Sequence, residues 1–437
     1  MQILRRLLVG ILLSLFVYSC SYAQQSFEDW KKAQKDSLNK FERSESDKFQ
    51  QFKDKRDSTF VEFLKKEWQQ FELFRGIEPP KKPKPFKTPE LAPKQLPKEV
   101  LLDSSNIIEV RELEPPHEKS SGSIEWLVSK FKKREQDSLL FQYFDAPLRI
   151  YYDKAIRDIS IEHPINEKNI STFWAELSHT DYENLTEQTK ELKESMKLND
   201  WGYCLLLKEI GDELFSGPKN RRNLFVWFMF IKSGYDAKIG YSQDELYLLL
   251  PSKHTIYRTP YFSMGEKTYY VVNFENHLDN LNAVNSYNGS YQNADNSIAL
   301  NIISSPVINQ VFESKKLKFY YNDLEYTVNV DVKRDVIKFY DQYPQTDYEI
   351  YFDASLSSET KYSLLAGLRP IVENKTETEA VNMLLRFVQT AFEYKLDQDQ
   401  FGREKPLFAE ETLFYPYSDC EDRSVLFAYL VRNLTEL

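Results

Sequence analysis

Cysteine is scarce: the 437 residues hold three, Cys20, Cys204 and Cys420. So few thiols exclude a disulfide-built scaffold and fall short of the four ligands of a structural zinc cluster, leaving room only for one Cys204–Cys420 bridge in an oxidising compartment. Histidine is nearly as sparse, with His117, His163, His179, His254 and His277, and none of them follows Cys420. There is no Gly-rich phosphate loop and no His-Glu-x-x-His pair, so no cofactor and no metal is implied. Positive charge is in deficit. The formal net charge of -10 argues against a nucleic-acid partner, which needs a basic surface. Beyond residue 17 no apolar run is long enough to read as a membrane span.

The start of the chain has the parts of an export signal: Arg5 and Arg6, an apolar stretch over residues 7–17, and small residues around Ser21-Tyr22-Ala23. Residues 1–23 are therefore expected to be a signal peptide, placing the product in the periplasm or cell envelope. A retained amino-terminal anchor is the alternative. Cys20 offers a lipid-attachment route through Val17-Tyr18-Ser19-Cys20, but bulky Tyr18 fits that box poorly and cleavage after Ala23 is preferred. The whole chain is 41% hydrophobic and 28% charged, as a folded body requires. With 30 Phe and 28 Tyr, its core must be built largely from rings.

The pattern predicts an α+β, multidomain chain. Residues 24–76 read as one long amphipathic helix. Phe27, Leu38, Phe49, Phe60 and Phe71 form one track; Trp30, Phe41, Phe52, Phe63 and Phe74 form another, each advancing by eleven residues. Eleven residues make three turns at about 3.67 per turn, so both tracks stay on one face. Such a stripe needs a partner: self-association, docking on the rest of the chain or an envelope partner, with a membrane surface as the alternative. Residues 77–123 read as a Pro/Lys-rich stiff linker. Residues 124–260 are expected to form a helical or mixed domain, with helices over 124–144, 173–192, 201–215 and 223–232, then strands over 236–241 and 245–250. Residues 261–355 read as an antiparallel β domain with strands over 268–273, 297–303, 316–321, 325–332 and 336–340. Helices return over 358–368, 377–394 and 422–434, within a last domain spanning 356–437. Cys204, inside an apolar run, reads as a buried structural thiol.

One segment carries chemistry: Ser418-Asp419-Cys420-Glu421-Asp422-Arg423-Ser424. It follows an extended aromatic run over 413–417 and precedes an apolar-faced helix. Cys420 falls near that helix's first turn, where unpaired amides and the helix dipole favour a thiolate, the form cysteine nucleophilic catalysis needs. Asp419 and Glu421 oppose this, so a histidinium partner would matter. Asp422 suits a cap of the first turn. A noncatalytic helix-start cysteine is the alternative.

Ser418 to Asp422 and the apolar run after it resemble the Gly-Asp-Cys-Lys-Asp-like motif of the bacterial transglutaminase-like superfamily, with Ser418 in place of the usual Gly. The resemblance covers about the last 60 residues. It implies Cys420 as the catalytic nucleophile, a protein or peptide substrate, and amide acyl transfer or hydrolysis. It also implies a His and then an Asp or Asn downstream, so the chain is expected to stop inside that domain. Residues 224–239 are similar to the same family's post-cysteine helix and its turn into the sheet, implying a degenerate, structural copy with Asn223 near the nucleophile's place; an unrelated helix-to-strand turn is the alternative. The rival expectation is a noncatalytic envelope scaffold or protein-binding module, suited to the repeat, the linker and the β region.

Overall fold

The computed structural model describes residues 31, 32, 34–40, 44, 48, 50–80, 136–217, 219–272, 274, 281–309 and 311–435. The expected signal peptide with Cys20, most of the Pro/Lys linker, His117 and His277 lie outside the described residues. Two compact units divide at Phe63/Leu64. In the first, every described residue is helical, as the eleven-residue repeat predicts, and the Phe60 and Phe63 rings stack with centroids 5.9 Å apart.

The helix does not continue to residue 76. It ends at residue 64, and strand β1 (Trp68–Glu72) follows. Phe71 and Leu73, two residues apart, share a strand face and pack on Leu249, Phe262, Val271 and Val284. A period of two thus overrides the eleven-residue track over its last members. Gly76 is required next: a Cβ there would lie 2.4 Å from the Arg258 carbonyl carbon.

The rest of the second unit begins with a hairpin of β2 (Asp137–Tyr143) and β3 (Ala146–Tyr152). Residues 137–143 were expected to be helical. Instead Leu139, Phe141 and Tyr143 alternate inward while Leu140 is exposed, and Phe144 and Asp145 make the turn with φ of 46° and 67°. Helices α1 (Ala155–Asp158), α2 (Glu167–Ser178), α3 (Tyr182–Ser195), α4 (Asp200–Phe215) and α5 (Lys219–Lys232) follow. The helix expected over 173–192 is broken at residues 179–181 into α2 and α3. Helix α5 packs against α4 on one side and later strands on the other, which is why residues 224–230 are apolar throughout and wholly buried. Trp174 of α2 meets Trp227 and Phe228 of α5 at centroid distances of 4.8 and 4.7 Å. Gly234, with φ of 97°, turns the chain out of α5.

Strands β4 (Lys238–Ser242), β5 (Glu245–Pro251), β6 (Tyr261–Met264), β7 (Lys267–Val272) and β8 (Ala283–Tyr287) build one antiparallel sheet with β1, in the order β1-β8-β4-β5-β7-β6. No domain boundary therefore falls at residue 260, since β6, β7 and β8 complete the sheet that β4 and β5 begin. Residues 297–303, expected as a strand, contribute only an isolated bridge between Ile298 and Ser252. The long strands β9 (Phe312–Tyr321) and β10 (Leu324–Lys333) pair only with each other. Residues 336–340, expected as a strand, lie in α6 (Arg334–Asp341), where Val336, Phe339 and Tyr340 fall on one buried helical face.

The last part contains α7 (Tyr348–Asp353), α8 (Ser358–Val372), α9 (Glu377–Thr390), β11 (Glu393–Tyr394), α10 (Asp397–Phe401), α11 (Ala409–Phe414), β12 (Tyr417–Ser418) and α12 (Cys420–Leu434). α8 packs on β10, α9 on β9, and α12 against α9 and α11. The expected helix over 377–394 ends at Thr390, and the expected extended run over 413–417 begins with the last two residues of α11. The molecule is thus a mixed α+β protein with several sheets. Among the described residues no helix is long and apolar enough to cross a membrane.

Candidate functional site around Cys420

Three elements set the position of Cys420. Helix α9 is capped by Thr376, whose side chain accepts the Glu379 amide at 3.3 Å. Its apolar face buries Ala380, Met383, Leu384, Phe387 and Val388. Just past its end, β11 runs parallel to β12, with Glu393 N donating to Pro416 O at 3.1 Å and Lys395 N to Ser418 O at 3.4 Å. Helix α12 then starts at Cys420, with Asp419 as its N-cap residue and Asp422 completing a capping box. Cys420 is exposed in the first turn, whereas Val425, Leu426, Tyr429 and Leu430 anchor the helix in the core.

Asp422 does more than cap. Its Oδ2 accepts the Asp419 amide at 3.1 Å and its Oδ1 accepts the Leu407 amide at 2.9 Å, tying the loop over 402–408 to the helix start. Burial pushes its carboxyl well above the ordinary aspartate range; Asp419 and Asp397 add to this, while the two amide bonds pull the other way. Asp397 in turn accepts the Lys405 amide at 3.0 Å. Asp397, Asp419 and Glu421 each bring a carboxylate oxygen within 4.8 Å of the others. Three oxygens are a thin set for a hard cation, which takes about six to eight, so the cluster acts here as local negative charge.

The balancing cation is Arg423. Its Nε donates to Ser418 Oγ at 3.0 Å, and its two Nη atoms donate to Gln389 O at 3.1 Å and Phe392 O at 3.0 Å. Its guanidinium also lies over the Tyr394 ring, 5.5 Å from the centroid. Burial lowers its pKa, opposed by Cys420, Tyr394, Asp419 and Asp422 around it. The sequence pattern gave Arg423 no part. The available signal was its place three residues after Cys420, on the same helical face.

The described histidines are engaged elsewhere. His163 faces Asp244 at 3.7 Å, His179 Nδ1 meets Ala175 O at 2.6 Å, and His254 Nδ1 accepts the Leu300 amide at 3.3 Å. Cys204 is fully buried, as expected, and burial pushes its thiol pKa far up against the pull of Arg222 and Lys208. Both Cys204 and Cys420 are free thiols, so the bridge between them does not form. Asn223 is held structurally: its Nδ2 donates to Leu246 O at 2.8 Å and its Oδ1 accepts Arg222 Nε at 3.0 Å. A cavity of about 770 Å³ lined by Trp201, Tyr257, Arg258, Tyr270, Tyr343 and Arg403 does not include Cys420.

No family model, no curated protein and no solved structure matches the chain. The chemistry of the site therefore rests on its geometry and on the motif around Cys420.

Proposed function

We propose that Cys420 is the nucleophile of a transglutaminase-like thiol site acting on a protein or peptide amide after export to the periplasm or cell envelope. The observation that carries this is an exposed cysteine in the first turn of a 15-residue helix whose start is pinned by Asp422 and Arg423. The positive end of the helix dipole at this N-terminus can stabilise a developing oxyanion. The thiolate attacks the amide carbonyl, the C–N bond breaks, the amine leaves with a proton, and a thioester remains. Water then releases the acid, or a second amine takes the acyl group, and the thiol is restored. Export rests on the signal-like residues 1–23. The first-unit helix is proposed to serve self-association or an envelope partner through its aromatic stripe. Helix α5, the Gly234 turn and strands β4 and β5 suit a structural copy of the same helix-to-sheet unit.

The acidic group Asp397, Asp419 and Glu421 favours a second reading, a noncatalytic binding module, because it sets three clustered carboxylates beside the cysteine. Acyl transfer from a glutaminyl peptide to hydroxylamine separates the two. Hydroxamate should form with the native chain and fall by at least about 100-fold in Cys420→Ala, the scale of losing a nucleophile. Equal rates in both proteins would leave the binding-module reading standing.

A further inference from the structure

Arg423 joins three elements that are not adjacent in sequence. Its guanidinium uses one nitrogen on β12 (Ser418 Oγ) and two on the carbonyls at the end of α9 and just beyond it (Gln389 O and Phe392 O), while its own backbone lies in α12. The carbonyls closing a helix have no partner within it, so the guanidinium also caps α9. The planar fork suits several fixed acceptors at once, which a lysine cannot match. The Tyr394 ring supports the guanidinium face, and the side chain is half-buried.

Ser418 gains a purpose from this geometry. It stands where the resembled motif has glycine, and a glycine would offer Arg423 no hydroxyl. Ser418 is buried at 1% exposure, and its hydroxyl accepts the Arg423 Nε–H two residues before the cysteine. Electrostatics point the same way. Asp397, Asp419 and Glu421 surround the start of α12, and a thiolate there would add one more negative charge. Lys405 is turned to Glu411 and Asp341, and Lys395 lies over the Tyr417 ring. Arg423 is the cation bonded into the cysteine-bearing turn itself.

We propose that Arg423 is the positioning residue of the Cys420 site, locking the cysteine-bearing turn to the end of α9 and supplying a fixed positive charge beside the thiol. The role in catalysis rests on Cys420 being the nucleophile; the lock and the charge do not.

The test compares alkylation of Cys420 in the full chain by anionic iodoacetate and neutral iodoacetamide, read by mass spectrometry. The ratio of the two rates reports local charge and is insensitive to the common thiol reactivity. Arg423→Gln should lower the ratio by about 3- to 10-fold, the effect of one unit charge a few ångströms away through partly screened surroundings. Arg423→Lys keeps a positive charge without the fork and should lower the ratio less than Arg423→Gln does. Buried Cys204 serves as the fold control, because it stays unlabelled only in a folded chain. If Arg423→Gln exposes Cys204, Ser418→Gly decides: it frees only one of the three bonds and should lower the ratio by about twofold. An unchanged ratio in folded Arg423→Gln, or in Ser418→Gly where the first variant unfolds, overturns the proposal. A lowered ratio in a protein that transfers no acyl group would keep the charge beside the thiol and refute the catalytic reading.

Discussion

Glu410 is wholly buried, and three donors reach its carboxylate: the Ser357 amide at 2.9 Å, the Ser357 hydroxyl at 2.5 Å and the Thr360 hydroxyl at 2.8 Å. Burial raises its pKa, and the bonds from Ser357 and Thr360 with the charge of Lys333 only partly offset this. A carboxyl whose folded pKa is raised binds its proton more tightly in the folded state. Its stabilising contribution is complete below the unfolded value, about 4.3, and is lost as pH rises through the folded value. Glu410→Gln removes that dependence and keeps an oxygen for the Ser357 amide. Its stability relative to the native chain should therefore improve as pH rises from about 4.3 through the folded value, and level off beyond it. Urea midpoints at several pH values check this; a pH-independent difference would contradict it. At the same scale, the place of Cys420 in the first turn of a helix was legible, because an apolar helical face follows it. Arg423 was not, because its carbonyl acceptors lie 34 and 31 residues away.

Helix α8 meets β10 so closely that a Cβ on Gly367 would lie 2.7 Å from Val328 Cγ1. Gly367→Ala gains up to about 1 kcal/mol of helix propensity but incurs about 1–3 kcal/mol of overpacking against a β-branched wall. The net should be a loss, measured by chemical denaturation, and Val328→Ala in the same chain should recover part of it. A stabilised Gly367→Ala would show that the helix and the ribbon part easily. Elements were legible where one period dominated. The unbroken apolar run of α5 is an example, as is the apolar face of α9. They were misread where two periods overlapped. Leu139 fell within the helical spacing read over 124–144, but Leu139, Phe141 and Tyr143 also repeat every second residue, and pairing with β3 decided the outcome. Val336 and Ile337 suggested a strand through their branching, while the spacing of Val336, Phe339 and Tyr340 was helical.

Across the second unit, residues 199–257 are stitched to residues 342–347. Trp201 Nε1 donates to Gln342 O at 2.8 Å, Asn199 Nδ2 to Tyr343 OH at 2.5 Å, and Asp347 accepts both the Thr255 amide at 3.0 Å and the Tyr257 hydroxyl at 2.9 Å. These bonds explain why the domain border expected near residue 260 is absent, since the sheet region and the later helices share their boundary groups. No composition shift marks such bonds, so the sequence pattern could not reveal them. Asp347→Ala leaves a backbone donor and a hydroxyl without their acceptor and should cost about 2–4 kcal/mol. It should also separate a single unfolding transition into two when tryptophan fluorescence and far-ultraviolet circular dichroism are followed together. Coincident, unshifted transitions would refute the stitching. The whole account turns on Cys420, and its most direct test is the intact mass of the chain, quenched in acid during incubation with a glutaminyl peptide. The account predicts a thioester adduct of the acyl mass, mapped to Cys420 and absent in Cys420→Ala. A chain whose mass never changes while Cys420 remains free and alkylatable would contradict it.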